Sequence, residues 1–408
     1  MSLANNIEFL RRLPKLSEIK GLNGLARGFN SRGGASSRLV ETVGFGSNPG
    51  DLKMFSYRPD DQRARQKTAL VVVLHGCTQT AAGYDTGAGW STLAERYGFA
   101  LLMPEQKTSN NGNGCFNWFN PEDTVRDGGE AFSIRQMIAQ MARDHSIDPD
   151  RIFVTGLSAG GAMTAVMLAT YPEVFAGGAI IAGLPYGIAS NVQQALNGMF
   201  QSPSRPAREL GDLVRNASRH KGPWPKLSVW HGSADKTVNP SNADEIVKQW
   251  LDVHHLPPMP MAQSTVDGYP RAVWWNADGK TLVESWTITD MAHGTPLGIA
   301  DNDERYGAQG AFMIEAGISS SYHIASFFAL TDRVHKPGEA SQPAAAATLP
   351  TITMAPPAFP PPTPELNPIP WPVAVSPSYA RSRRPPRRPA IDVGAVITRA
   401  LTAAGLMK

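Results

Sequence analysis

Apolar residues in this chain alternate between continuous runs and helical stripes. ALVVVLHG (69–76) and GFALLMPE (98–105) are unbroken apolar runs, the pattern of parallel strands buried on both faces. DGGEAFSIRQMIAQMARDH (127–145) has helical spacing, with Ile134, Ile138 and Met141 on one side. RIFVTG (151–156) reads as a strand that passes directly into a helix ending near Tyr171-Pro172. AGGAIIAG (176–183) and KLSVWHG (226–232) read as strands, NADEIVKQWLDVH (242–254) as a helix and LVESWTIT (282–289) as a strand. SYHIASFFAL (321–330) reads as a closing helix that buries Ile324, Phe327 and Phe328. This alternation predicts a mostly parallel sheet with helices on both faces.

The pattern changes at both ends. Residues 1–38 read as a lead-in and flexible connector: Leu10, Leu13, Leu16 and Ile19 form a short amphipathic segment interrupted by Pro14, followed by RGFNSRGGASSR. A catalytic domain is expected over 39–335. Residues 336–390 are rich in Pro and Ala, a linker-like composition that builds no packed core, and include the basic patch RSRRPPRRP. Over 391–408, Val393, Ile397 and Leu401 recur every four residues, predicting a short amphipathic helix that could dock on a surface or a protein partner.

The run RIFVTGLSAGGAMTAVM (151–167) holds the most chemistry. A buried strand, the turn Gly156-Leu157-Ser158-Ala159-Gly160 and a helix make the nucleophile elbow of an α/β-hydrolase fold. There a serine stands at a helix start, where unpaired N–H groups favour negative charge. Serine needs a base to take its proton. His293, in ITDMAHGTPL just after the last clear strand, is the base candidate. Asp235, in VWHGSADKTVNP after strand 226–231, is the acid candidate, placed to hold the imidazole tautomer. Ser158, Asp235, His293 is the chain order this fold uses. Asp212, Asp244 and Asp252 are weaker rivals by position, and His75 and His231 read as floor or structural histidines. The oxyanion hole would take backbone N–H groups of Ala159 and, from the loop after strand 69–76, Cys77.

Bulk properties add limits. In 408 residues, 38 basic and 35 acidic side chains leave a formal charge of +3, which gives no reason to expect a nucleic-acid partner. No stretch approaches a transmembrane span. No metal-ligand pair or dinucleotide fingerprint is present, so no metal and no cofactor are expected. The two cysteines, Cys77 and Cys115, permit one bridge or two unlinked thiols. Cys115 lies in NNGNGCFNWFNP (110–121), whose aromatics, Trp118 foremost, are candidates for an apolar substrate wall.

Together, LHGCTQTAAGYD (74–85), MPEQ (103–106), CFNWFNP (115–121), DGGEAFSIRQMI (127–138), GLSAGGAMTAVMLATYPEVFA (156–176), VWHGSADKTVNPSNADEIVKQW (229–250) and MAHGTPLG (291–298) resemble the poly(3-hydroxybutyrate) depolymerase-like esterases and the feruloyl and acetylxylan esterases grouped with them. The resemblance covers roughly 40–332. It implies a serine esterase with Ser158 as nucleophile, Asp235 as acid and His293 as base. It also implies an oxyanion hole at Cys77, a Cys77–Cys115 disulfide, and Trp118 near a polyester, oligoester or other ester substrate; Phe116 and Tyr84 are further substrate-contact candidates. An extracellular enzyme is implied too. Against that, residues 1–21 hold no continuous apolar run of an ordinary secretory signal, which leaves a cytoplasmic location open.

Overall fold

A computed structural model describes residues 37–59, 67–302, 304–332 and 334. The expected lead-in up to residue 36, the whole of the linker and the C-terminal helix lie outside the described residues.

The apolar runs form the middle of one ten-stranded sheet. Its strands are β1 (Val40–Thr42), β2 (Lys53–Tyr57), β3 (Thr68–Leu74), β4 (Ala100–Glu105), β5 (Ile147–Leu157), β6 (Gly177–Ile181), β7 (Lys226–Gly232), β8 (Ala262–Val266), β9 (Tyr269–Trp275) and β10 (Thr281–Ile288). Their order across the sheet is β1-β2-β4-β3-β5-β6-β7-β10-β9-β8. From β4 to β10 all neighbours are parallel. Antiparallel pairs finish both ends.

The reason for the parallel centre is visible in β3. Successive side chains of a strand point to opposite faces. Leu70, Val72 and Leu74 join one apolar cluster, and Ala69, Val71 and Val73 join the other. Both faces must therefore be covered. On the first face lie α4 (Gly129–Asp144), α5 (Ala159–Thr170) and α8 (Ser241–Val253), through residues such as Ile134, Met163 and Trp250. On the second lie α1 (Ala81–Ala88), α2 (Trp90–Tyr97) and α9 (Ser320–Phe327), through Tyr84, Trp90 and Ile324. Phe328 is buried as expected, whereas Phe327 stays half-buried with its ring 4.6 Å from Lys226 Nζ.

The short helix α3 (Pro121–Thr124) precedes α4, and α6 (Val192–Gln201) and α7 (Ala207–Asn216) occupy the long crossover from β6 to β7. A small parallel pair, β11 (Thr295–Leu297) with β12 (Met313–Glu315), follows β10. No helix among the described residues is long and apolar enough to cross a membrane.

Candidate functional site

Parallel strands deliver their following loops to one edge of the sheet, where open α/β sheets bind ligands. The loops after β3, β5, β7 and β10 carry Cys77, Ser158, Asp235 and His293 respectively.

Ser158 is the hinge between β5 and α5, with φ 57° and ψ −118°. A non-glycine residue reaches this region only where its surroundings impose it. Here the imposition is close backbone packing. A Cβ on Gly160 would lie 2.2 Å from Leu74 O, and one on Gly156 would lie 2.4 Å from Gly160 O. The Ser158 amide donates to Ile181 O at 2.9 Å. The loop after β3 passes beside this turn: a Cβ on Gly76 would lie 3.5 Å from Ser158 Cβ. Ala159 is the first residue of α5, so its amide is one of those that lack an intrahelical partner.

Asp235 is buried, at 5% exposure, and each of its oxygens is fully engaged. Oδ1 accepts the amides of Thr237 (2.8 Å) and Val238 (2.9 Å). Oδ2 accepts His293 Nδ1 at 2.7 Å and His231 Nε2 at 3.1 Å. Burial works against the charge, but the hydrogen bonds from His231 and His293 outweigh it and hold the carboxyl well below the usual carboxylate range. The rival acids are otherwise occupied. Asp212 and Asp252 pair with Arg215, and Asp244 is exposed on α8.

His293 is 7% exposed and packs edge-on against Phe312, ring centroids 5.9 Å apart. The segment at Phe312 reaches back to the β3 loop, because Gln79 Nε2 approaches Ala311 O and Gln79 Oε1 accepts the Gly76 amide at 2.8 Å. Gln79 thus links the segment that packs on His293 to the loop that passes beside Ser158.

His75 takes no comparable position. Its Nδ1–H donates to Gly76 O at 2.8 Å and its Nε2 accepts the Gln106 amide at 3.1 Å. Burial pushes its pKa down, so the ring is a neutral structural link under the site.

Cys77 and Cys115 are bonded to each other. The Thr78 amide donates to Asn113 O at 2.8 Å beside that bond. A second tie was not foreseen from the sequence. Gln106 Nε2 donates to Cys115 O at 3.0 Å and also to Glu130 Oε1, while Glu130 Oε2 accepts the Asn117 amide at 2.9 Å. Burial, aided by the charge of Asp123, pushes Glu130 up to about 8 against these hydrogen bonds. The signal for this knot was an acid at the start of an amphipathic helix, in DGGEAF.

The aromatic expectations need correction. Phe116 is 0% exposed and packs on His75, ring centroids 5.0 Å apart. Tyr84 is likewise 0% exposed, its hydroxyl 3.2 Å from Thr295 Oγ1. Neither offers surface to a substrate: Phe116 belongs to the apolar cluster on one face of the sheet and Tyr84 to the cluster on the other. Trp118 retains 8% exposure, with its ring edge-on to Phe119.

Two other features lie apart from these groups. A cavity of about 290 Å³ between the β6–β7 crossover and α8 is lined by residues including Ile188, Asn197 and Glu245, and not by Ser158, Asp235 or His293. Among the described residues, Asp267, Asp301 and His323 bring possible metal-ligand atoms within 4.8 Å of one another, but His323 Nε2 is already engaged by Asp267 at 2.9 Å.

Comparison with known proteins agrees with this architecture. Residues 54–259 match the family model described as esterase PHB depolymerase. The chain is 46% identical over 293 residues to poly(3-hydroxyalkanoate) depolymerase C of Paucimonas lemoignei, covering 72% of this chain and 70% of that one. It is 33% identical over 268 residues to an acetylxylan esterase of Coprinopsis cinerea, covering 64% and 70%. Among solved structures, an acetyl xylan esterase from Aspergillus awamori superposes with a TM-score of 0.57 at 26% identity, covering 62% of this chain and 93% of that one. With its helix-flanked parallel sheet and serine elbow, the chain is a carboxylic-ester hydrolase of the α/β-hydrolase fold and belongs to the PHB depolymerase esterase family.

Proposed function

We propose that this enzyme hydrolyses 3-hydroxyalkanoate esters, as polyester or oligomer, through Ser158, His293 and Asp235. The observation that carries the chemistry is the Asp235–His293 contact at 2.7 Å, on the edge of the sheet that also presents Ser158 at its strained turn. The 46% identity to a poly(3-hydroxyalkanoate) depolymerase supports the substrate class.

In this reading Ser158 attacks the ester carbonyl as His293 Nε2 takes its proton. Asp235, ionised and fully hydrogen-bonded, holds the Nδ1–H tautomer and stabilises the imidazolium. The Cys77 and Ala159 amides receive the oxyanion; each such donor contributes about 3–4 kcal/mol to the transition state. The Cys77 amide has no acceptor among the described residues, as that role requires. His293 returns the proton to the leaving alcohol, and water then releases the acid from Ser158. Trp118 serves as the apolar wall. The catalytic unit is 39–335. The disulfide favours an oxidising compartment and hence an extracellular enzyme. The segment 391–408 serves to dock on a surface or a protein.

A second reading, an acetyl or feruloyl esterase acting on plant polysaccharide, is favoured by the acetylxylan esterase relatives and by a feruloyl esterase B of Neurospora crassa at 34% identity. Product analysis separates the two. Purified enzyme is given 3-hydroxybutyrate oligomers, amorphous polymer, methyl ferulate and acetylated xylan in parallel. Release of 3-hydroxybutyrate alone supports the first reading; ferulate or acetate without hydroxybutyrate replaces it with the second. Ser158→Ala should form no acyl-enzyme, and a burst of alcohol from that variant would remove Ser158 from the mechanism.

A further inference from the structure

His231 closes β7 four residues before Asp235, and the reaction as written assigns it no part. Its surroundings are specific. The ring is 3% exposed. Nε2 lies 3.1 Å from Asp235 Oδ2 and 3.0 Å from Val238 O. A carbonyl oxygen only accepts, so Nε2 carries the proton and shares it between the two oxygens. Nδ1, also buried, has no hydrogen-bond partner.

An ionised carboxylate offers about four lone-pair sites. In Asp235 two are taken by the Thr237 and Val238 amides, one by His293 and one by His231. His231 is thus the donor that completes the set. It also ties the carboxylate to Val238 O, closing the 232–238 turn on itself. Without it, His293 alone would hold Oδ2, since the two amide anchors are both on Oδ1.

We propose that His231 is a positioning residue: its Nε2–H pins Asp235 Oδ2 so that the other lone pair on that oxygen faces His293, and it moderates the negative charge His293 meets there. Beyond Asp235 and His293, Asp244 on α8 also interacts electrostatically with His231. The inference rests on the triad reading above.

The test compares His231→Leu, which removes the donor, with His231→Gln, whose amide reaches the same place and restores it. His231→Leu should lower kcat about tenfold or more with little change in KM, since the interaction acts on the reacting groups and not on substrate binding. Its acid limb in kcat/KM should move to higher pH by about half a unit or more, because the unshared Oδ2 charge favours the imidazolium. His231→Gln should return both toward the original values. A folded His231→Leu enzyme with unchanged kcat and an unmoved acid limb overturns the proposal.

A measurement without substitution guards against a variant that does not fold. In the ¹⁵N-histidine-labelled native enzyme, the His231 proton should sit on Nε2; a proton on Nδ1 overturns the proposal directly. Asp235→Asn run alongside separates the two levels. Unchanged turnover in Asp235→Asn removes the triad reading itself. An inactive Asp235→Asn beside an unmoved His231→Leu profile removes only the role of His231.

Discussion

The strain at Ser158 is held in place by residues that have no side chain. A non-glycine residue at φ 57° costs about 1–3 kcal/mol and persists only when its neighbours over-determine it. The neighbours here are backbone carbonyls, which cannot turn aside as a flexible side chain can. Gly160→Ala would set a methyl 2.2 Å from Leu74 O, so β3 and α5 would have to separate. We expect a loss of about 3 kcal/mol or more in urea unfolding, together with lower esterase activity. An alanine variant that unfolds at the same urea concentration as the parent would mean that the elbow has slack the geometry denies. At this scale residue type and order singled out Asp235 and His293, which the fold brings to 2.7 Å, and Ser158 at the strained turn, the three residues of the proposed triad. The sequence misled at Phe116 and Tyr84, because aromatic type does not reveal which surfaces will close over a side chain.

The loop between β4 and α4 is a strap held at two points. One is the disulfide, which closes a loop across a sequence separation of 38 and contributes about 4 kcal/mol in the chain-entropy account. The other is the Glu130 carboxyl beneath Gln106 and Asn117. Glu130 makes the strap sensitive to pH. Its ordinary value is 4.5 and its folded value about 8, so between these the unfolded chain holds fewer protons than the folded one. Stability therefore falls as pH rises from about 4.5 and levels off above about 8, by about 2–5 kcal/mol in all. Glu130→Gln removes the ionisable carboxyl, though it also turns one of the two acceptors into a donor, and should flatten that slope, so that its melting temperature changes less than the parent's between about pH 4.5 and 8. A parent whose excess loss over the variant is absent across this range would show that the amide donors keep Glu130 ionised throughout. Of the elements, the strands buried on both faces were legible as apolar runs. The antiparallel ends were not read, although the Asp267-Gly268 turn between β8 and β9, with φ 49° and 85°, carries a recognised hairpin signal.

Over the whole molecule, the sheet brings together groups far apart in sequence. Asp235 and His293 are 58 residues apart, yet meet because β7 and β10 are parallel neighbours whose following loops leave from the same edge. Every residue assigned to the reaction lies between Cys77 and His293. Removing residues 336–408 should therefore leave turnover of a soluble ester unchanged while altering retention on polymer particles. A truncated enzyme that loses soluble-ester turnover would place part of the active machinery in the tail. The sequence by itself determined the fold class, the strand–turn–helix at Ser158 and the family's ester chemistry, because strand burial and a tight turn each demand particular residue types in particular places, and it supplied the order of nucleophile, acid and base that is proposed above. Only the tertiary structure decided that His231 shares Asp235 with His293, that Glu130 anchors the disulfide loop, and that Phe116 and Tyr84 are packing. Those outcomes depend on which distant groups come within hydrogen-bonding or van der Waals reach, and that proximity is a property of the packed sheet that local pattern does not encode.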